Sequence, residues 1–218
     1  MTRLIPNPFS VSPPKMTAGR TNAWSLSQHW CTPPHYVEAV RRCFGGVIGL
    51  DPCSNEHAVV HAEREYRLPD IDGLTAPWDA ATIYVNPPYG RDRRRGTSIA
   101  DWLKRCVQAR RDYHAQVLAL VPVATNTGHW KQSVWSEADG IAFLYDTRLR
   151  FWVEGHDGGK GAPMACAMIY WGDDFDTFET VFTPFGAVVA VRRPRIVVER
   201  GQLGDTSGRE TARRDETK

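Results

Sequence analysis

A run of β-branched and aromatic residues, Thr82-Ile83-Tyr84-Val85, leads directly into Asn86-Pro87-Pro88-Tyr89-Gly90. The first part has the composition of a buried strand. Each proline lacks an N–H and holds φ near about −65°, and Pro88 also drives Pro87 into an extended conformation, so the strand cannot continue. Gly90 lets the chain turn sharply away. The sequence therefore predicts a short strand followed at once by a rigid loop. That loop presents an amide, two carbonyls and an aromatic ring at the strand's carboxyl end, the edge at which open α/β sheets bind ligands.

Such a loop suits one kind of chemistry. An amino group on a heteroaromatic ring is a poor nucleophile because its lone pair is delocalised into the ring. If two acceptors take its two N–H bonds, the nitrogen moves towards tetrahedral geometry and the lone pair is freed. Asn86 Oδ1 and the Pro87 carbonyl are suitable acceptors, Pro88 stiffens the loop, and the Tyr89 ring can stack on a base through its π-face, without need of its hydroxyl. A neutral amide is no base, so the gain would come from positioning and preorganised dipoles. The bland alternative is a proline-rich turn after a strand.

At 218 residues the chain fits one domain, and 42% hydrophobic content is enough for a core. Net charge is only +2, but the basic residues are 22 Arg against 5 Lys. Arginine binds phosphate bidentately and stacks on bases, which suits nucleic acid; a GC-rich coding sequence would give the same bias. The five scattered cysteines, with no secretory leader and no run long enough to cross a bilayer, predict free thiols in a reducing cytoplasm and no membrane partner. Residues 1–23 read as a flexible lead-in, 24–191 as the folded domain, and 192–218 as a charged, disordered tail.

Within the domain, Thr32 is a candidate N-cap with Pro33 at the first helical position, followed by a helix burying Tyr36, Val37, Val40 and Phe44. Val47–Leu50 reads as a buried strand entering Asp51-Pro52-Cys53-Ser54-Asn55, which is either a nucleoside cradle or a plain Asx-type turn. Cys53, His57 and His61 are four apart on a presumed helical stretch, yet no fourth ligand or CxxC accompanies them, so surface histidines are expected rather than zinc. Some thirty residues separate this turn from the Asn86 loop, too few for two βα units, so the sheet should be abbreviated there. Asp72, in the intervening loop, is a second candidate ligand or a solvated acid. The run Arg91-Asp92-Arg93-Arg94-Arg95 is either a solvated loop or, through Arg91, Arg93, Arg94 and Arg95, a phosphate clamp beside the site. Thr97-Ser98 should cap a helix through Ile99, Trp102, Leu103 and Val107. Gln116–Pro122, Gly140–Tyr145 and Met164–Trp171 read as strands, Asn126–Trp135 as a helix, Glu154–Gly161 as a loop and Phe175–Val191 as a last short element. Strands alternating with helices predict an α/β fold with a mostly parallel central sheet and helices on both faces.

Taken together, Trp30-Cys31-Thr32-Pro33, Leu50-Asp51-Pro52-Cys53-Ser54, Asp72-Gly73-Leu74 with Trp78, Asn86-Pro87-Pro88-Tyr89-Gly90 and Arg148-Leu149-Arg150-Phe151 resemble the phage-encoded DNA N6-adenine methyltransferases, the Dam-like group, over about residues 24–185. The resemblance implies a Rossmann-like methyltransferase fold, S-adenosyl-L-methionine as cofactor and double-stranded DNA as partner, with the protein a monomer or weak dimer in a restriction-modification setting. It implies cofactor contacts at Trp30, Thr32, Pro33, Asp51, Cys53 and Asp72, with Pro52 and Ser54 of the same turn, and catalysis by Asn86, Pro87 and Tyr89. Two departures stand out: the glycine-rich part of the usual cofactor loop is missing, and no separate target-recognition domain is visible. A planar nitrogen in RNA or in a protein glutamine is an alternative acceptor, and a non-catalytic DNA-binding remnant is a further one.

Overall fold

The computed structural model describes residues 30–57, 59–146, 149–153, 156–157 and 164–192. In chain order the elements are β1 (Trp30–Cys31), α1 (Pro34–Cys43), β2 (Leu50–Asp51), β3 (Arg64–Glu65), β4 (Thr82–Val85), α2 (Ile99–Tyr113), β5 (Gln116–Pro122), a π-helical turn (Trp130–Trp135), β6 (Gly140–Leu144), β7 (Trp152–Val153), β8 (His156–Asp157), β9 (Cys166–Trp171), α3 (Phe175–Phe182), a 3-10 turn (Thr183–Phe185) and β10 (Gly186–Ala190). The expected lead-in, the expected tail apart from Arg192, Arg148, and most of the Glu154–Gly161 loop lie outside the described residues.

Seven strands form one mixed sheet in the order β10-β6-β9-β5-β4-β2-β3. The block β3-β2-β4-β5 is parallel, β9 runs antiparallel to both β5 and β6, and β10 is antiparallel to β6. Five of the seven strands thus share one direction. β1, β7 and β8 make a separate small antiparallel sheet.

The interior of β5 is buried on both faces, and its alternation sorts the two cores. Leu118 and Leu120 face a core shared with Tyr84, Met168 and Tyr170, covered by α1 and α3 through Tyr36, Val40, Phe178 and Phe182. Val117, Ala119 and Val121 face the other core with Ile83, Val85, Ile169 and Trp171, covered by α2 and the π-helical turn through Trp102, Leu103, Cys106 and Trp130. Helices therefore cover both faces, as the sequence predicted.

Several local expectations shift. Thr32 does not cap α1: Pro33 occupies the N-cap, Pro34 opens the helix, and Thr32 Oγ1 instead lies 2.6 Å from the buried Tyr84 hydroxyl. The strand expected over Val47–Leu50 pairs only at Leu50–Asp51. His57 and His61 share no helix, and His61 has φ +47°. The helix expected over Asn126–Trp135 is confined to its end, where Trp130 Nε1 and Trp135 Nε1 donate to the Pro122 and Thr125 carbonyls. Phe175–Val191 is a helix and an antiparallel edge strand rather than one element. Ser98 does cap α2, with the Asp101 carboxylate accepting from its N–H at 2.8 Å and its hydroxyl at 3.1 Å. Among the described residues between β2 and β4 there is one two-residue strand and no helix, which is the expected abbreviation.

Phe178 tests how tightly the α3 side is packed. It is fully buried, stacks on Tyr170 at 4.9 Å and meets Phe182 at 5.0 Å. Its ring also sits on Gly140, where a Cβ would lie 2.7 Å away. Phe178→Ala should cost about 3–5 kcal/mol in urea unfolding; a loss below about 1 kcal/mol would mean that α3 packs loosely on the sheet.

Candidate active site

Asn86 is the first residue past β4, which lies between β2 and β5. Its Nδ2 donates to the Trp30 carbonyl at 2.9 Å. A carbonyl can only accept, so this bond fixes which end of the amide faces inward, and Oδ1 has no partner among the described residues. Trp30 reaches this position because β1 pairs with β7, Trp30 opposite Val153. Pro87 is buried behind the amide. The Tyr89 ring meets Trp30 edge-on at 6.1 Å and Phe151 edge-on at 5.7 Å, while Trp30 and Phe151 stack at 4.9 Å. The Tyr89 hydroxyl, which stacking on a base would not need, donates to the Leu120 carbonyl at 3.3 Å. Burial pushes its pKa well up, so the group stays protonated and keeps donating.

The same loop forms one side of a cleft of about 510 Å³, through Pro88 and Gly90. Pro52, Cys53 and Ser54 form another side, and Tyr66, Ile71 and Asp72 lie on a third. This size is within the range of small-molecule sites. The wall around Asp72 is held by close packing. A Cβ on Gly73 would fall 1.7 Å from the Pro52 carbonyl oxygen, and Trp78 Nε1 donates to the Gly73 carbonyl at 2.7 Å. Gly73 thus lets the loop press directly on the Pro52 turn.

Asp51 lies beneath that turn, buried, with Oδ1 accepting the Cys53 N–H at 3.0 Å. Burial raises its pKa to about 7 against the pull of that N–H. Its local geometry is the Asx-type turn, and it does not line the cleft. Cys53 joins the turn to the Asn86 loop. Burial, and then the nearby Asp51 charge, push its thiol pKa well up, and the Asn86 backbone N–H works in the opposite sense.

Asp72 lines the cleft, but both its oxygens are engaged: Oδ1 accepts from Leu74 N–H at 3.0 Å and Oδ2 is ion-paired with Arg95. Burial pushes this carboxyl up, yet the Arg95 and Leu74 bonds together bring it below its ordinary value. Arg91, Arg93 and Arg94 are exposed, without ion-pair partners among the described residues.

The candidate residues therefore separate into two groups. Pro52, Cys53, Ser54 and Asp72 meet around the cleft. Trp30, Thr32 and Pro33 do not line it, and Trp30 serves the Asn86 amide instead. Sequence reasoning missed Glu65, which pairs in register with Asp51, accepts Ser54 Oγ at 3.1 Å and is ion-paired with Arg67. A two-residue strand has no periodicity that could have revealed it. Phe151 was legible only as the end of the Arg148-Leu149-Arg150-Phe151 stretch, with no role of its own. No metal-ligating cluster occurs among the described residues, and none of their helices is long and apolar enough to cross a membrane. No disulfide joins any of the five cysteines among the described residues.

A mixed α/β sheet whose parallel strands deliver a rigid amide-bearing loop to the rim of a small-molecule cleft has the layout of an enzyme of the open-sheet class. Which enzyme is indicated by its family. The chain belongs to the DNA N-6-adenine-methyltransferase (Dam) family, whose sequence model matches residues 21–202. No curated protein and no solved structure gave a match.

The Asp51 environment has a consequence for pH. Unfolded, this carboxyl ionises in the ordinary carboxylate range; folded, it holds its proton to about pH 7. The native state binds the extra proton in that window, so Asp51 makes stability fall as pH rises from about 4 to about 7. Asp51→Asn keeps an acceptor for the Cys53 N–H and removes the titration. The variant should gain on the wild type progressively across that window, by a few kcal/mol at most. Urea midpoints at a series of pH values will show this; a difference independent of pH would mean that folded Asp51 ionises normally.

Proposed function

We propose that this protein methylates the exocyclic N6 amino group of adenine in double-stranded DNA, with S-adenosyl-L-methionine as methyl donor and the target base turned out of the helix. The observation that carries the reading is the Asn86 amide. Its donor end is taken by Trp30, which leaves its acceptor end without a partner among the described residues, on the residue that follows β4 and precedes Pro87. Family membership favours adenine in DNA over the other planar nitrogens. On this reading the mixed sheet is a Rossmann-like methyltransferase fold abbreviated between β2 and β4, and residues 24–191 are its catalytic domain.

The cleft fits the cofactor on chemical grounds. Tyr66 and Ile71 offer an aromatic and an apolar surface for a nucleobase, and the Cys53-Ser54 turn and Asp70 offer polar groups for hydroxyls and an amino acid end. Bound there, S-adenosyl-L-methionine supplies a methyl group on a positively charged sulfur, an electrophile. The protein's own contribution is orientation. Asn86 Oδ1 and the Pro87 carbonyl take the two N6 hydrogens, which turns the lone pair out of the ring plane.

Inside a duplex N6 is paired and cannot be held by two such acceptors, so the nucleotide must leave the stack at a cost of a few kcal/mol. The aromatic group of Tyr89, Trp30 and Phe151 offsets this, since one base stacked on an aromatic ring contributes about 1–3 kcal/mol. Arg91, Arg93 and Arg94 supply sequence-independent phosphate affinity next to the loop.

Long-read sequencing of host DNA after expression tests the whole reading, because N6-methyladenine should appear at a defined sequence only when the protein is made. Asn86→Ala removes one of the two acceptors and should lower the methyl transfer rate by on the order of 10²–10³, with cofactor affinity nearly unchanged by calorimetry. Turnover above a tenth of the wild-type rate would remove Asn86 from the role given to it.

A further inference from the structure

Arg95 differs from the other arginines in its run. Asp92 organises the turn that carries it: its Oδ1 accepts from the Arg94 N–H at 2.9 Å and the Arg95 N–H at 3.1 Å, and its N–H donates to the Thr97 carbonyl at 2.8 Å. Gly96, at φ +71°, closes the turn. Held this way, Arg91, Arg93 and Arg94 are exposed, and Arg91 also lines the cleft, while the Arg95 side chain is half-buried, lines the cleft and alone of the four pairs with Asp72. The pair is partly shielded, with side-chain exposures of 25% and 32%. Asp72 is in turn part of the loop that Gly73 presses onto the Pro52 carbonyl. One guanidinium therefore connects the turn that follows the catalytic loop with the two other sides of the cleft.

We propose that Arg95 is a positioning residue rather than a phosphate ligand, and that through its pair with Asp72 the binding of cofactor in the cleft and of DNA on the Arg91–Arg94 turn strengthen one another. The proposal rests on the cleft being the cofactor site. The physical argument is a shared ordering cost. A ligand in the cleft fixes the Asp72 loop against the Pro52 turn, which fixes the partner of Arg95 and with it the turn that displays Arg91, Arg93 and Arg94. Phosphates seated on those arginines order the same turn from the other side. Whichever ligand binds second finds part of the ordering already done, and linkage requires the gain to be equal in both directions. Neutralising Arg95 leaves the Arg91–Arg94 surface and the other cleft-lining groups in place and removes the connection.

The test uses the full chain, S-adenosyl-L-homocysteine as an unreactive cofactor probe, and a mixed-sequence duplex. In the wild type, calorimetry should show the duplex tightening S-adenosyl-L-homocysteine binding by about 5-fold or more, and the same factor should appear for duplex binding with the probe present. In Arg95→Met this factor should fall close to one. The slope of log duplex affinity against log salt, measured without the probe, should stay unchanged, whereas each of Arg91→Met, Arg93→Met and Arg94→Met should flatten it by about 0.9. Asp72→Asn should reproduce the loss of coupling, and adding it to Arg95→Met should bring no further loss; Arg95→Lys, which keeps the charge and loses the planar fork, should retain part of the coupling. Asp72→Asn and Arg95→Lys carry the test if Arg95→Met fails to fold. The proposal is overturned if the wild type binds both ligands without mutual effect. It is equally overturned if Arg95→Met keeps the coupling, or flattens the salt slope as a phosphate contact would. A wild type that binds no S-adenosyl-L-homocysteine would instead overturn the cofactor reading on which the proposal rests.

Discussion

The hydrogen bond from Asn86 Nδ2 to the Trp30 carbonyl joins residues 56 apart in sequence and decides which way the Asn86 amide faces. A free asparagine could present either end to a ligand, and only the oxygen end can accept from an amino group. Most of the small β1-β7-β8 sheet can be understood as the means of holding that one carbonyl. β7 pairs with β1, and Phe151, just before β7, stacks on the Trp30 ring, so Trp30 is fixed by backbone and side chain at once. The buried Thr32–Tyr84 contact then ties the end of β1 to β4 two residues before Asn86. Strand, amide and carbonyl form a short closed circuit, which is what preorganisation requires.

The cleft is secured differently. With no helix among the described residues between β2 and β4, one wall of the site is irregular chain, and irregular chain beside a ligand must have its polar groups occupied. Here the side chains of the wall largely serve the wall itself. Tyr66 donates to the Pro77 carbonyl at 2.7 Å, Trp78 to Gly73, and Arg105 lies over the Trp78 ring while donating to the Ala76 carbonyl at 2.7 Å. Asp51 and Asp72, the two acids that sequence reasoning singled out for a ligand, also hold backbone N–H groups. A carboxylate at the end of a strand is as valuable for closing a turn as for touching a ligand, and composition cannot separate the two uses.

What was legible in the sequence follows from this division. β5 and β9, the Ser98 cap and the buried face of α1 were readable because burial and capping leave a local pattern of residue types. The Asn86 loop was readable because two prolines and a glycine permit few conformations. Glu65 was not, since its importance comes from lying beside Asp51 across a two-residue ladder. Nor was the Arg95–Asp72 pair, which joins residues 23 apart that each looked like an independent ligand. The same limit explains Thr32: a threonine before two prolines has the local signature of a cap, and a tyrosine hydroxyl 52 residues away took its side chain instead.

Charge shows the same dependence on arrangement. A net charge of +2 is too small to identify a DNA-binding protein. Many of the arginines are neutralised in place: Arg64 by Asp79, Arg67 by Glu65, Arg110 by Asp173 and Arg111 by Glu137. Arg91, Arg93 and Arg94 are exposed, without ion-pair partners among the described residues, and clustered in the four positions that follow the Asn86 loop. A surface field is set by where the uncompensated charges lie, not by their sum. A phosphate backbone drawn to these three residues would be held immediately beside Asn86. On the proposed reading they need carry no sequence information, since phosphate contacts fix register and orientation while base edges specify. Discrimination would then fall mainly on the groups that receive the extruded base, namely the Asn86–Pro87 acceptors and the aromatic set around Tyr89.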